Sequence, residues 1–98
     1  MRFEWDETKN DANLRKHGVT FEEAIAIFSD PRLDEVDVTE DDYGEERWAA
    51  SGRVNLAGLD VLVVIYTDRV PETRRIISAR RADRRETNAY YSRLAPIR

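Results

Sequence analysis

The residues of this chain best suited to chemistry are its arginines. Six of them lie between Arg74 and Arg85, with Asp83 the only acid among them. A guanidinium binds phosphate or carboxylate as a two-pronged fork and stacks on flat rings, which an ammonium does poorly. The stretch Arg74 to Ala79 predicts a strand. Alternation then puts Arg74, Ile76, Ser78 and Arg80 on one face and Arg75, Ile77, Ala79 and Arg81 on the other. Ser78 and Arg80 would project together at the end of that strand. The strand feeds a helix whose first N–H groups and positive dipole end attract anions. Arg84 and Arg85 fall in its first turn, where cations are disfavoured, and a local rule broken without local gain marks a functional site. The pattern predicts an anion seat. The alternative is that Arg84 and Arg85 answer acids elsewhere in the chain.

Other chemistries are excluded by composition. Cysteine is absent, so disulfides, thiolate metal sites and cysteine nucleophiles are ruled out. His17 is the one histidine, which rules out a His-built metal site or a two-histidine acid–base pair within one chain. No metal and no cofactor is expected. The longest apolar run, Val61 to Tyr66, is far short of the ~20 residues of a membrane helix. The N-terminus lacks the apolar stretch of a signal peptide, so a cytoplasmic protein without membrane contact is expected.

The net charge of −4 conceals a split. Residues 1–50 carry 6 basic and 15 acidic side chains, a net of −9, whereas residues 51–98 carry 10 and 5, a net of +5. The acids concentrate between Asp34 and Glu46, with no Lys or Arg among them. Such asymmetry fits a polyanion-binding surface, a basic partner on the acidic half, or two segments that face each other.

The elements that must position these groups are legible from caps and periods. Phe3-Glu4-Trp5 predicts a short strand. Asp6 caps a polar surface helix toward His17, and Gly18 ends it in a left-handed turn. Thr20 and Glu23 form a capping box, followed by an apolar stripe at Phe21, Ala24, Ile25 and Phe28, with Pro31 enforcing the stop near Ser29 or Asp30. Val36 and Val38 alternate with acids as an exposed or edge strand. Turns at Asp41 to Gly44 and at Ala57-Gly58 flank a strand from Arg47 to Val54. Val61 to Tyr66 predicts a central strand buried on both faces, and Asp68 to Glu72 a loop. Asp83 with Glu86 caps a last helix carrying Tyr90, Tyr91 and Leu94. The expectation is a single α+β domain over residues 1–98, with a small, mostly antiparallel sheet, two N-terminal helices and a C-terminal helix.

Several of these pieces together resemble one family. Phe3-Glu4-Trp5-Asp6, Lys9-Asn10, Ala12-Asn13, Lys16-His17-Gly18-Val19, Phe21-Glu22-Glu23-Ala24, Phe28-Ser29-Asp30-Pro31, Tyr43 to Arg47, Gly52, Val64 to Thr67 and Ile76 to Ala82 look like the BrnT family of bacterial type II toxins. The resemblance spans nearly the whole chain. It implies a RelE/ParE-like fold and a metal-independent ribonuclease that arrests translation. It also implies a BrnA-like antitoxin with a ribbon-helix-helix domain, which would carry the only contact with operator DNA; a toxin dimer is left open. Two other readings stand beside it: a non-catalytic antitoxin-binding module for transcriptional control, and a ParE-like gyrase poison.

Metal-free RNA cleavage needs a base for the 2′-hydroxyl, cations for the phosphorane and an acid for the leaving oxygen. On that chemistry Arg80 and Arg69 would hold the phosphate, Arg47 would be a third clamp, and Ser78 would donate a hydrogen bond. Arg81, Arg84, Arg85, Lys9 and Trp5 would contact the RNA further out. Glu45, Glu46, Glu86 and His17 are base candidates by type; His17 at a helix end and Glu86 in a capping box also have structural roles. Trp48, Tyr43, Tyr66, Tyr90 and Tyr91 could stack on bases, or fill a small core.

Overall fold

The computed structural model of the chain describes residues 1–40, 44–56 and 58–94. Strand β1 (Arg2–Glu4) leads into α1 (Glu7–His17). The Asp6 carboxylate accepts from the Thr8 and Lys9 amides at 2.8 and 3.3 Å, and Gly18 closes the helix at φ 72°, as the caps predict.

The inner side of α1 is not apolar. Leu14 is 46% exposed, while Asn10 and Asn13 are buried. Asn13 donates from Nδ2 to the carbonyls of Val19 and Ala79 at 2.9 and 2.8 Å, and its Oδ1 accepts from the Ala79 amide at 3.1 Å. Asn10 accepts from the Phe21 amide at 2.8 Å and donates to Glu22 at 2.7 Å. Two amides therefore dock a helix that has too few methyl groups to dock itself.

The capping box of Thr20 and Glu23 is present and opens α2 (Phe21–Ala24). The α-helix expected to run to Ser29 or Asp30 instead tightens into a 3₁₀ helix over Ile25–Ser29. Three residues per turn keep Phe21, Ala24 and Ile27 on one fully buried line, while Ile25 and Phe28 of the expected stripe pack, partly buried, against the same core. The 3₁₀ turn lies directly on Gly52, where an added Cβ would stand 2.8 Å from Ile27 Cβ.

Strands β2 (Asp34–Asp37), β3 (Trp48–Asn55), β4 (Leu59–Arg69) and β5 (Thr73–Arg81) join β1 in a sheet of order β1-β5-β4-β3-β2. The α+β class holds, but the sheet is mixed: β1 runs parallel to β5 and the other pairs are antiparallel. β1 also ends before Trp5, whose ring packs edge-on to Phe21 at 6.0 Å. The turn expected from Asp41 lies outside the described residues apart from Gly44, as does Ala57 of the next turn.

One bulge changes the arginine arithmetic. The register shifts between Ile65 and Tyr66, so that Tyr66 faces Ile76 and Val64 faces Ala79. Cross-strand partners share a face, which puts Ile76 and Ala79 in the same core with the α2 side chains. Arg74 therefore shares a face with Ile76, while Ser78 and Arg80 point to the other, contrary to strict alternation. Across that second face runs α3 (Arg84–Leu94), which buries Tyr90. The Tyr90 hydroxyl donates to Asp30, which also accepts from the Arg53 and Arg32 amides at 2.8 and 2.9 Å. Burial, with Asp30 beside it, pushes the Tyr90 pKa up to about 12. Burial works against the Asp30 carboxylate, but its hydrogen bonds, that from Tyr90 foremost, hold its pKa below the ordinary value.

Two substitutions test this packing in urea denaturation. Asn13→Ala strands the amide and carbonyl of Ala79 and lowers stability by about 3 kcal/mol, whereas Leu14→Ala on the exposed side changes it by less than about 0.5 kcal/mol. Gly52→Ala forces the 3₁₀ turn off the sheet and lowers stability by about 1–3 kcal/mol.

Candidate functional site

The β4–β5 hairpin sets Asp68 opposite Arg74 and Arg69 opposite Thr73. Arg74 donates from Nε and Nη2 to the two Asp68 oxygens at 2.7 and 3.0 Å. Its guanidinium carbon lies 4.1 Å from the centre of the Tyr66 ring and 4.9 Å from that of Phe28. Its Nη1 is 3.8 Å from Glu35, which also accepts the Tyr66 hydroxyl. Only 15% of the Arg74 side chain is exposed. Ring faces and carboxylates together compensate its loss of water.

Beside this cation opens a cleft of about 650 Å³, lined by Glu35, Glu45, Glu46, Trp48, Tyr66, Thr67, Asp68, Arg69 and Arg74. Arg69 meets Glu45 Oε2 at 3.7 Å, and Arg47 meets Glu45 Oε1 at 3.6 Å. The backbone of Arg47 is fixed by the end of β2: its amide donates to Thr39 Oγ1 at 3.0 Å and its carbonyl accepts from the Val38 amide at 2.9 Å. Three guanidinium groups thus converge on one sheet end, interleaved with carboxylates. Such a set can hold a phosphate and take a proton from a hydroxyl.

The expected gathering of Arg69 and Arg80 at one pocket is not what the fold provides. Arg80 pairs with Val63 and Arg69 with Thr73, six residues apart along β4, roughly 20 Å. A hairpin keeps residues beside its turn together and sends the end of its second strand to the far side of the sheet. Arg80 donates to both oxygens of Glu86 at 2.7 and 2.8 Å. Glu86 also closes the capping box, accepting from the Asp83 amide at 2.9 Å while its own amide donates to Asp83 at 2.8 Å. The Arg80 hydrogen bonds, with help from the Asp83 amide, hold the Glu86 pKa down at about 2 despite partial burial. A carboxylate so stabilised is a poor proton acceptor, and Glu86 does not line the cleft.

The remaining expected residues scatter. Ser78 lies with Arg80 on the face away from Arg74. Arg81 pairs with Asp60 at 2.6 Å. Arg84 and Arg85 are exposed in the first turn of α3 and form no ion pair among the described residues, so they do not answer the acidic segment. Trp5 packs on the core and donates to Glu7 at 3.0 Å; Lys9 is exposed on α1 and His17 half-buried at its end, and none of the three lines the cleft. Tyr43 lies outside the described residues. Of the base candidates, Glu45 and Glu46 line the cleft.

Sequence reasoning missed Arg74, Glu35 and Asp68 as members of the site. Asp68 and Arg74 flank the Pro71 turn and oppose each other, a pairing readable from hairpin geometry. The reading of two facing segments also holds in part, since Asp34, Glu35 and Glu45 of the acidic segment meet Arg93, Arg74 and Arg69 of the basic half. No helix among the described residues is long and apolar enough to cross a membrane.

A family model described as the ribonuclease toxin BrnT of type II toxin–antitoxin systems matches residues 5–86. No curated protein matches the chain. Among solved structures, the crystal structure of the Brucella abortus ribonuclease toxin BrnT is similar, with a TM-score of 0.65 and 29% identity over 86% of this chain and 99% of that one.

The Arg80–Glu86 fork carries a pH signature. The folded-state pKa of Glu86 lies below its ordinary 4.5, so its contribution to stability is complete above that pH and is lost as pH falls toward 2. Thermal melts of the parent and of Glu86→Gln should differ at pH 7 and converge over that acid range; a gap unchanged down to pH 2 would show that the fork is not responsible.

Proposed function

This chain belongs to the BrnT family of ribonuclease toxins, and from that premise we propose that it cleaves RNA without a metal at the cleft of Arg47, Arg69 and Arg74. The observation that carries the reading is that Arg69 and Arg74 line one open cleft with Glu35, Glu45, Glu46 and Asp68, while Arg47 meets Glu45 at its side. A 2′-oxygen attacks the adjacent phosphorus while the exposed Glu46 carboxylate takes its proton. Arg69 and Arg47 stabilise the charge that builds on the phosphorane oxygens. The P–O5′ bond breaks, leaving a 2′,3′-cyclic phosphate and a 5′-oxygen that takes a proton from solvent. Arg74, committed to Asp68 and the rings, holds the wall of the cleft in place. Trp48 offers a stacking surface, and Arg84 and Arg85 are the cations available for more distant phosphates.

The wider reading is a RelE/ParE-like toxin domain acting in the cytoplasm, arresting translation and neutralised by a BrnA-like antitoxin that brings the operator contact. A second reading, a module that only binds its antitoxin, is favoured by the acid-rich outer strand β2, where Val36 is 53% exposed. Induction in cells separates the two: growth arrest relieved by the antitoxin supports the toxin, and unimpaired growth with a stable complex supports the module.

Purified protein on single-stranded RNA tests the site. Arg69→Ala should slow cleavage by roughly 30- to 1000-fold with an unchanged melting temperature. Arg80→Ala should melt earlier yet cleave at nearly the parent rate. The reverse assignment of the two losses would place the chemistry at the other end of the hairpin.

A further inference from the structure

The two flanks of the sheet end differently. On one side α1 packs along β5. On the other, β2 is the last strand among the described residues, and Glu35, Val36 and Asp37 are exposed on it. The Val38 amide donates to the Arg47 carbonyl at 2.9 Å, which fixes the parity of the ladder. Asp34 and Val36 turn their backbone groups toward β3, whereas Glu35 and Asp37 turn theirs outward. No strand or turn among the described residues bonds to those outward groups. The strand has no proline, lysine or bulge to blunt its edge. Its side chains sort by face. Glu35 and Asp37 stand opposite Ala50 and Trp48 on the face that bears the core. Val36, 53% exposed, and Val38, 39% exposed, lie on the face that α3 crosses. Asp37 and Glu40 form no ion pair among the described residues.

We propose that β2 is a strand-addition seat, taking as a sixth strand an extended segment of a partner protein in which Lys or Arg alternates with apolar residues. The inference rests on the reading that the chain docks a protein partner; it names the surface and draws nothing from the chemistry of the cleft. The outward N–H and C=O groups of Glu35 and Asp37 supply the ladder. A segment of period two then sets its apolar side chains beside Val36 and Val38 and its cations beside Glu35 and Asp37. The same charges select the occupant. In a second copy of this chain, paired antiparallel about Val36, Glu35 would face Asp37 twice, and like charges directly opposite are destabilising. The acids thus guard the edge against self-association and leave it open to a cationic strand. An RNA backbone meets the same repulsion.

A short capped peptide of alternating Arg and Val, carrying a fluorophore, probes the seat on the whole chain. Val36→Lys puts a cation on the edge and should weaken binding by at least about tenfold. Leu14→Lys makes the same exchange on the exposed side of α1 and should change binding by less than about twofold, because α1 lies across the sheet and exposed charges there are screened. In the saturated complex the Glu35 and Asp37 amides should exchange with deuterium at least about tenfold more slowly, since bonds to the added strand cover them. Equal weakening by the two Lys variants, or a bound peptide that leaves exchange at Glu35 and Asp37 unchanged, overturns the inference. So does a parent dimer that Val36→Lys makes monomeric at sedimentation equilibrium, which would give the edge to a second copy. If the peptide does not bind yet a co-expressed antitoxin relieves growth arrest, the seat falls and the partner reading survives. If the peptide binds as expected and the antitoxin forms no complex, the seat stands and the partner reading falls.

Discussion

A guanidinium clamped between aromatic rings organises the working end of this protein. Arg74 comes from β5, its carboxylate partner Asp68 and the Tyr66 ring from β4, the Phe28 ring from the 3₁₀ turn, and Glu35 from β2. One cation therefore ties four segments that are distant in sequence. A lysine would not substitute: an ammonium is a strongly hydrated point charge, whereas the planar fork offers two flat faces to the rings and an edge to Asp68. One wall of the cleft and the placement of Glu35 go with this fixed cation.

The charge asymmetry of the chain resolves into two different uses of arginine. At the far end of the hairpin Arg80 is consumed by structure, closing a helix cap through Glu86. At the near end the acids of the Asp34–Glu46 segment come up against Arg47, Arg69 and Arg74 at longer distances. Short contacts spend the cation on the fold, and Arg74 is spent in the same way on Asp68 at 2.7 Å.

Much of the fold was legible because caps and turns are local. Asp6, Gly18, the Thr20–Glu23 box and the buried run of β4 depend on neighbours a few residues away. The parallel pairing of β1 with β5 and the bulge at Tyr66 depend on where distant strands meet, which periodicity does not encode. The bulge then misled the reading of the site, because a single extra residue reverses every later side chain and sent Arg80 away from Arg74. Arg47 and Arg69 were legible by type; Glu35 was not, because a strand acid looks like solvated surface until its partner is known. The docking of α1 was illegible for another reason: its contact residues are amides, and an apolar stripe is what sequence patterns detect.

Those amides have a further consequence. β1 covers β5 only from Thr73 to Arg75, and beyond it α1 packs along β5, where Asn13 supplies Ala79 with the donor and acceptor that a neighbouring strand would supply. A side chain can close an edge without offering a new one in turn. At that position α1, rather than a further strand, closes the flank, and an incoming strand would have to break both Asn13 bonds to pair with Ala79.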